Sequence, residues 1–524
     1  MKFLSFFQMR GIKKLFSVEL FFILFSAISL RLIFFNGPFG TDEITYLVRS
    51  LEVTNGEWSS SNYNGALRYG YNIPSGFLIY LFGLNIYTAN LWALSCSIIE
   101  ICAVYYFASK FISHKAAILS SLFLAFTPLH VAVSTRLHAD PVVSMFLTLS
   151  FVFFYIAERN SNKVMYFFTG ILLGCVFWVK ELAAIVFFAF IFYPLVFRKL
   201  NSDWFYLVFG GLFMLLGHFV LMEFIAGDPF HAIKTVLGQV NRSFISNSQG
   251  EDSPWYYFYY LFFDIKHTWL MPLIALLLLV FINKKNQLKC ANSLRFCLFW
   301  LLSLLVVLSF FPVSFSPIRF AMKQSNYITL FLAPISLIAG TAVSYFSRRT
   351  ASILIVLFVS GGIALAALEQ QAYQVFTANS RGLMEFSVKH PDQYIFGSVN
   401  NKRIACFYRL INGNTCLDSK VYEYSQIPED LRKTVDTHVY TVIDRETLGW
   451  GISDVKIEKV PSCWNEVEKI APSNTGNGIY VLDMLLTVSK YLSTSLTAKL
   501  QTMKSPNEAK IYSASLANIW CERN

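Results

Sequence analysis

The sequence predicts an all-α polytopic membrane protein of about eleven transmembrane helices, followed by an extracytoplasmic mixed α/β domain. Three observations predict it. Only 14% of the 524 residues are charged while 55% are hydrophobic, whereas a soluble domain carries about 25% charged residues. The apolar residues fall in runs close to the roughly 20 residues that a helix needs to cross hydrocarbon. Beyond about residue 368 the composition returns to ordinary globular values, which divides the chain into a membrane part, 1–368, and a soluble part, 369–524.

The spans are expected near 15–35, 88–108, 116–133, 141–157, 164–179, 182–197, 204–225, 267–283, 294–312, 323–345 and 351–368. The first follows a basic start, "MKFLSFFQMRGIKKLF", with no small-residue cleavage pattern, and reads as a retained helix rather than a removed signal peptide. Orientation follows from the short loops. With a cytoplasmic N-terminus, "SKFISHK", "ERNSNK", "FRKLNSD", "NKKNQLK" and "SRRT" all lie on the cytoplasmic side, as Lys and Arg prefer. These loops absorb most of the formal charge of +11. No basic-aromatic cluster points to nucleic acid as a partner. An odd number of spans then places the tail outside the cytoplasm.

Two outward loops are long, 36–87 and 226–266. Within the first, "NIPSGFLIYLFGL" reads as a short amphipathic helix lying in the interface. In the tail, "QYIFGS", "RIACFYRL", "HVYTVID" and "GIYVLDMLL" read as strands. Of the nine cysteines, Cys96, Cys102, Cys175, Cys290 and Cys297 lie in or beside spans and read as packing residues. Cys406, Cys416, Cys463 and Cys521 lie in the tail. One or two disulfides are expected there, Cys406 and Cys416 being nearest in sequence, but spacing does not fix connectivity.

Once the cytoplasmic cations are set aside, ionisable residues remain at the outward ends of the spans, where they run against the insertion bias and need partners or a function. "GTDEITY" holds Asp42 and Glu43, with Tyr46 following. On a helix starting near Thr41 the two acids differ by about 100° and cannot face one partner. The plain structural alternative makes Thr41 an N-cap with acids in the first turn. "STRLHADPV" holds Arg136, His138 and Asp140; Asp140 before Pro141 also suits a helix start. "WVKEL" holds Lys180 and Glu181, which as an ion pair would need no further explanation. "SPIRFAMKQSNY" holds Arg319 and Lys323, two cations that could simply snorkel to headgroups. Arg68 in the first outward loop completes the set. Together they describe carboxylates beside Arg and Lys with hydrocarbon below. Fixed cations there suit a lipid-linked phosphate, and a carboxylate suits deprotonation of an acceptor hydroxyl.

These motifs resemble the GT-C glycosyltransferases: Arg31 near the end of the first span, then the "DE..Y" of Asp42, Glu43 and Tyr46 in a long outward loop. Within that fold the chain resembles the protein O-mannosyltransferase and lipid A aminoarabinose transferase superfamily. The likeness continues through "FLAFTPLHVAVSTRLHADPVVSMF", "GILLGCVFWVKELAAIVF", "GDPF" and "IRFAMKQSNYITLFLAPI", over residues 15–345. The resemblance implies a GT-C catalytic domain over 1–368 and transfer of a sugar from a polyprenyl-phosphate carrier, usually with inversion. The reading drawn from it favours a glycan or lipid hydroxyl as acceptor and expects a bacterial inner membrane as the setting. It implies Asp42 as acceptor base, Glu43 beside it, and Asp140 as the second acidic position. Lys180, Arg319, Lys323 and Arg136 are the expected donor-phosphate contacts. Tyr46, Arg68, His138 and Glu181 are expected to position the acceptor. "HAD" carries one carboxylate where protein O-mannosyltransferases tend to carry two, so a protein acceptor is not assigned. No cofactor is expected. Asp42 with Asp140 would make a weak divalent-metal site, and the reading favoured is metal-independent.

The rival from another class is a lipid or small-anion transporter, which would concentrate polar groups at mid-membrane. Glu100 in "CSIIEICAVYY" is the residue that fits it, although a hydrogen bond to another span is the commoner use of such a carboxylate. A non-catalytic scaffold is the third possibility. In the enzyme, Asp42, Asp140, Lys180 and Arg319 should line one cavity; in a transporter, Glu100 should line a path.

Overall fold

The computed structural model describes residues 17–246, 253–278, 291–316, 318–416, 419–426, 431, 438–451, 454–455, 457–516 and 519–521. The basic N-terminal stretch, the loop with Lys284, Lys285 and Lys289, and Cys290 lie outside the described residues. The chain forms two compact units. One comprises residues up to Ile33, Gly56–Ser75 and Asn90–Ala366; the other comprises Phe34–Asn55, Gly76–Ala89 and Ala367–Asn524.

Among the described residues, six helices are long and apolar enough to cross a membrane: Ile86–Phe111, Asp140–Asn160, Trp204–Ala226, Ala291–Phe310, Ser325–Ser344 and Arg348–Lys389. The pair His114–Phe126 and Pro128–Ser134, bent by 59°, makes a seventh if it is counted as one span. Pro128 has no N–H to continue the first helix and holds Thr127 extended, so the bend is written in the sequence. Helices Val18–Ile33, Lys163–Val179 and Ile185–Phe197 are apolar but shorter. The expected span 267–283 begins in two short helices, Ile265–Thr268 and Met271–Leu276, and runs out of the described residues after Leu278. The chain is a multi-pass membrane protein.

Burial separates inner spans from peripheral ones. Ser325–Ser344 is 94% buried, whereas Trp204–Ala226 is 17% buried and presents its apolar side chains outward. That outer helix packs backbone to backbone on Lys163–Val179. A Cβ on Gly170 would meet the Leu207 carbonyl at 2.0 Å, and one on Gly210 the Phe167 carbonyl at 2.2 Å. Small residues are what membrane helices use for such approach. Trp178 Nε1 donates to the Met214 carbonyl at 2.8 Å, fixing the end of the helix from which Lys180 emerges.

After helix Ala291–Phe310 the chain forms a small hairpin, β1 (Pro312–Phe315) against antiparallel β2 (Ile318–Phe320). Apart from Pro312, the hairpin falls in the stretch 313–322 expected to connect two spans, while the 3-10 turn Ser325–Ile328 falls at the start of the expected span 323–345.

The second unit holds a five-stranded mixed sheet. Its strands are β3 (Ile395–Gly397), β4 (Val421–Glu423), β5 (His438–Asp444), β6 (Asn465–Lys469) and β7 (Ala509–Ser515), in the order β4-β3-β5-β7-β6. β3 runs parallel to β4 and β5, while β7 is antiparallel to β5 and β6. Alternate residues serve two cores. Ile395, Val442, Ala509 and Ile511 face Leu383 and Phe386, whereas Phe396, Val439, Ile443 and Tyr512 face Trp464.

Two stretches expected to be strands are helices. "RIACFYRL" lies in helix Val399–Ile411, started by a reciprocal capping box between Ser398 and Asn401. "GIYVLDMLL" lies in helix Gly478–Ser489, where Gly478, Leu482, Leu486 and Ser489 are buried at helical spacing. Disulfides join Cys406 to Cys416 and Cys463 to Cys521.

Candidate functional site

Asp140 opens helix Asp140–Asn160, with Pro141 in the first turn, and is 1% exposed. Lys180 follows helix Lys163–Val179, its N–H still bonded to the Val176 carbonyl. Its Nζ donates to Asp140 Oδ1 at 3.0 Å and lies 4.3 Å from the centre of the Tyr327 ring. Asn326 Nδ2 donates to Asp140 Oδ2 at 2.8 Å, and His138 Nδ1 sits against the same oxygen. Three donors therefore converge on one buried carboxylate. Lys180 pairs with Asp140, 40 residues away, so the sequence-neighbour pairing with Glu181 does not account for it.

Asp140, Lys180 and Tyr327 line a narrow pocket with Val143, Ile185, Tyr257, Leu308, Ala321, Met322 and Leu330. Its free volume is about 10 Å³, roughly the space of one water. A sugar phosphate would require the walls to part. Ala321 and Met322 reach this pocket from the segment between Arg319 on β2 and Lys323, which is 1% exposed with its ammonium 5.2 Å from the centre of the Phe320 ring. Arg136 is half-buried, two residues before His138. Glu181 begins the 3-10 turn Glu181–Phe187 and is buried. Burial pushes its carboxyl up to about 7, against the pull of Arg68 and Lys180. Arg68, itself 7% exposed, is thus part of the same electrostatic neighbourhood.

The remaining expected residues belong to the second unit. Asp42 precedes helix Glu43–Asn55, and its carbonyl accepts from the Tyr46 N–H at 3.0 Å. Tyr46 Oη donates to Asp42 Oδ2 at 3.5 Å. Glu43 is wholly buried and accepts from both the Thr41 N–H and the Thr41 hydroxyl. Glu43 closes the turn while Asp42 stays half-buried, so the two adjacent acids do have different surroundings. The loop before them is held by the tail. Gln370, Gln374, Asn400 and Arg403 donate to the carbonyls of Phe35, Asn36, Phe39 and Gly40. Phe39 stacks on Phe376 and meets Trp450 edge-on.

A second buried polar group lies within the spans. Arg31, with no exposed surface, donates through Nε to Ser97 and through Nη1 to the Ala27 and Ala125 carbonyls. Its Nη2 lies 2.7 Å from His130 Nδ1, and His130 Nε2 lies 3.2 Å from Glu100. Arginine can only donate, so Nδ1 accepts and the imidazole proton sits on Nε2, pointing at the carboxylate. Ser144 and Thr148 donate to the other Glu100 oxygen at 2.8 and 2.9 Å. Glu100 is bonded to other helices, the commoner of its two expected uses. Ser144 and Thr148 follow Asp140 at intervals of four, so this network also grips the helix that carries Asp140.

Asn326, Tyr327 and His130 were not singled out by sequence. The polar "KQSNY" interrupting an apolar run marks the first two; His130 gives no signal beyond being ionisable in an apolar stretch. Among the described residues no group of three His, Cys, Asp or Glu gathers as a metal site.

Fold and site thus define a polytopic membrane protein with a buried lysine–carboxylate centre at one end of its helices. Residues 75–221, which include Asp140 and Lys180, match the family model of dolichyl-phosphate-mannose-protein mannosyltransferases. The structure is similar to ArnT from Cupriavidus metallidurans in the apo state, with a TM-score of 0.56 and 13% identity over 96% of this chain and 98% of that one. It is also similar to the same protein bound to undecaprenyl phosphate, with a TM-score of 0.51 and 13% identity over 81% and 93% of the two chains. No curated protein matches the sequence. The chain thus shares its fold with ArnT, and its residues 75–221 resemble the mannosyltransferase family, in line with the resemblance its motifs show.

Proposed function

We propose that this chain is a glycosyltransferase that moves a sugar from a polyprenyl-phosphate donor to a hydroxyl of a glycan or lipid acceptor, with inversion. The observation that carries the reading is the Lys180–Asp140 centre, closed in by Asn326, His138 and Tyr327 and walled by apolar side chains. Such a centre suits an anion attached to a greasy chain. The family match across it and the undecaprenyl phosphate bound by ArnT support the same donor class.

In the proposed reaction the acceptor oxygen attacks the anomeric carbon and the bond from that carbon to the phosphate oxygen breaks. The polyprenyl phosphate leaves with the electron pair and gains one negative charge, and the hydroxyl proton passes to a carboxylate. Lys180 has three N–H groups and gives one to Asp140, so two remain for phosphate oxygens. Arg319 and Lys323 add charge on the adjoining segment, and Arg136 is the fourth proposed contact. Asp140 already receives three donors, which makes it the group that orients Lys180. The base role is proposed for Asp42, steadied by Tyr46, with Glu43 holding the turn. Arg68, His138 and Glu181 are proposed to position the acceptor. We propose eleven spans in all, a cytoplasmic N-terminus, an extracytoplasmic tail, a bacterial inner membrane and metal-independent transfer. Transfer from a synthetic polyprenyl-phosphate sugar by the purified chain, lost in Lys180→Met, tests this reading. Undiminished transfer in that variant would refute it.

A further inference from the structure

Helix Gly478–Ser489 is apolar on two opposed faces. On one, Leu482 and Leu486 are buried with Leu500, and Leu368, Ile479, Leu485 and Met503 complete the cluster. On the other, Tyr480, Met484 and Val488 are 75%, 60% and 50% exposed, and Tyr491 and Leu492 in the following turn are 89% and 72% exposed. At about 100° per residue, positions 480, 484 and 488 lie within about 80° of one another, opposite the buried row. The polar residues Asp483 and Thr487 are confined to a narrow sector between, and Lys504 reaches Asp483 at 2.9 Å. A helix on an aqueous surface shows one apolar stripe of about 100°. This one shows far more, and the second face is uncovered.

Its position says what covers it. The 42-residue helix Arg348–Lys389 is apolar as far as Leu368 and then turns polar with Glu369, Gln370 and Gln371. Helix Gly478–Ser489 is fastened at that transition. The Gly478 N–H donates to Gln370 Oε1 at 2.7 Å. A Cβ on Gly478 would meet the Ala367 carbonyl at 2.3 Å, so only glycine permits the approach. Gln371 Nε2 donates to the Met503 carbonyl at 3.0 Å and holds the following helix at the same level. The exposed apolar row therefore belongs to a helix fastened where the long helix Arg348–Lys389 changes from apolar to polar. Tyrosines beside an exposed Lys490 are the composition favoured at a membrane–water interface.

We propose that helix Gly478–Ser489 lies in the membrane interface, with Tyr480, Met484 and Val488 among the upper acyl chains and Tyr491 and Lys490 at the headgroups. The occupant of this face is the bilayer. The tail domain is thereby held to the membrane by lipid contact as well as by its connecting helix.

The test places a photoreactive benzophenone amino acid at Met484 or at Val488 of the full-length chain, in vesicles of phosphatidylcholine and phosphatidylglycerol. Glu468, on exposed strand β6, is the aqueous control. These sites are exposed, so the substitutions leave the core intact. Phospholipid adducts at 484 and 488 should exceed those at 468 by about fivefold or more, because an interfacial face holds acyl chains against the probe. Yields equal to the control, or cross-linking to a second copy of the chain in place of lipid, would overturn the proposal.

Discussion

Removing the charges of the Lys180–Asp140 pair one at a time and then together separates their structural role from their chemical one. The two atoms are 3.0 Å apart, on side chains only 7% and 1% exposed. At an effective dielectric near 20 their attraction is about 5 to 6 kcal/mol, much of it offset by desolvation. Deleting one partner strands the other, at a cost of about 3–5 kcal/mol. Lys180→Met should fall at the lower end, because Asp140 keeps His138 and Asn326. Asp140→Asn should fall at the upper end, because it removes the anion beside a buried ammonium that retains the Tyr327 ring. The double variant buries no charge there, so its stability should return to within about 1–2 kcal/mol of the wild type. Transfer should not return. All three variants should lose about 10²–10³-fold in rate, the size expected when a donor to developing negative charge is removed. Thermal unfolding in detergent and transfer from a radiolabelled polyprenyl-phosphate sugar are the two assays. A double variant as unstable as the singles would refute the pairing, and one that regains transfer would refute the site.

Asp42→Asn should abolish transfer while unfolding unchanged in detergent; full activity would remove it as the base. Folding favours protonated Glu181, whose carboxyl lies near 7 against an ordinary 4.5. The stability this confers is complete below about pH 4.5 and is lost as pH rises to about 7, a change of about 3 kcal/mol. Glu181→Gln should therefore gain stability relative to the wild type between pH 5 and pH 8, and a constant difference in melting temperature would contradict this. Opening the Cys463–Cys521 bridge, 58 residues apart, should cost about 4 kcal/mol by loop entropy, against about 3 for Cys406–Cys416 at 10 residues. Serine variants melted under oxidising conditions should follow that order, and the reverse order would count against a loop-entropy origin.

Much of the fold was legible because lipid leaves few options. Every expected span overlaps a helix among the described residues, since apolar length alone marks a segment that must satisfy its backbone internally. Charges at span ends stood out for the same reason, and Asp140, Lys180 and Glu181 were singled out that way. Their partners were not. Asp140 bonds to Lys180 and Asn326 across 40 and 186 residues, and no local pattern encodes such distances. A neutral Asn carries no insertion penalty to draw notice. Arg31 and His130, 99 residues apart, show the same limit. In the tail, two short runs rich in β-branched and aromatic residues were read as strands. Helix Val399–Ile411 was decided by its capping box, and helix Gly478–Ser489 by burial at every fourth residue. The grip of Asn400 and Arg403 on the loop before Asp42 could be seen only once the chain was folded.

The central claim is sugar transfer at the Lys180–Asp140 centre. Mass spectrometry of membrane glycolipids from cells lacking the chain, and from the same cells supplied with wild type or with Lys180→Met/Asp140→Asn, tests it most directly. The account predicts a species lighter by one sugar residue in the deficient cells, restored by the wild type and not by the double variant. An unchanged glycolipid profile in the deficient cells, or restoration by the double variant, would contradict it.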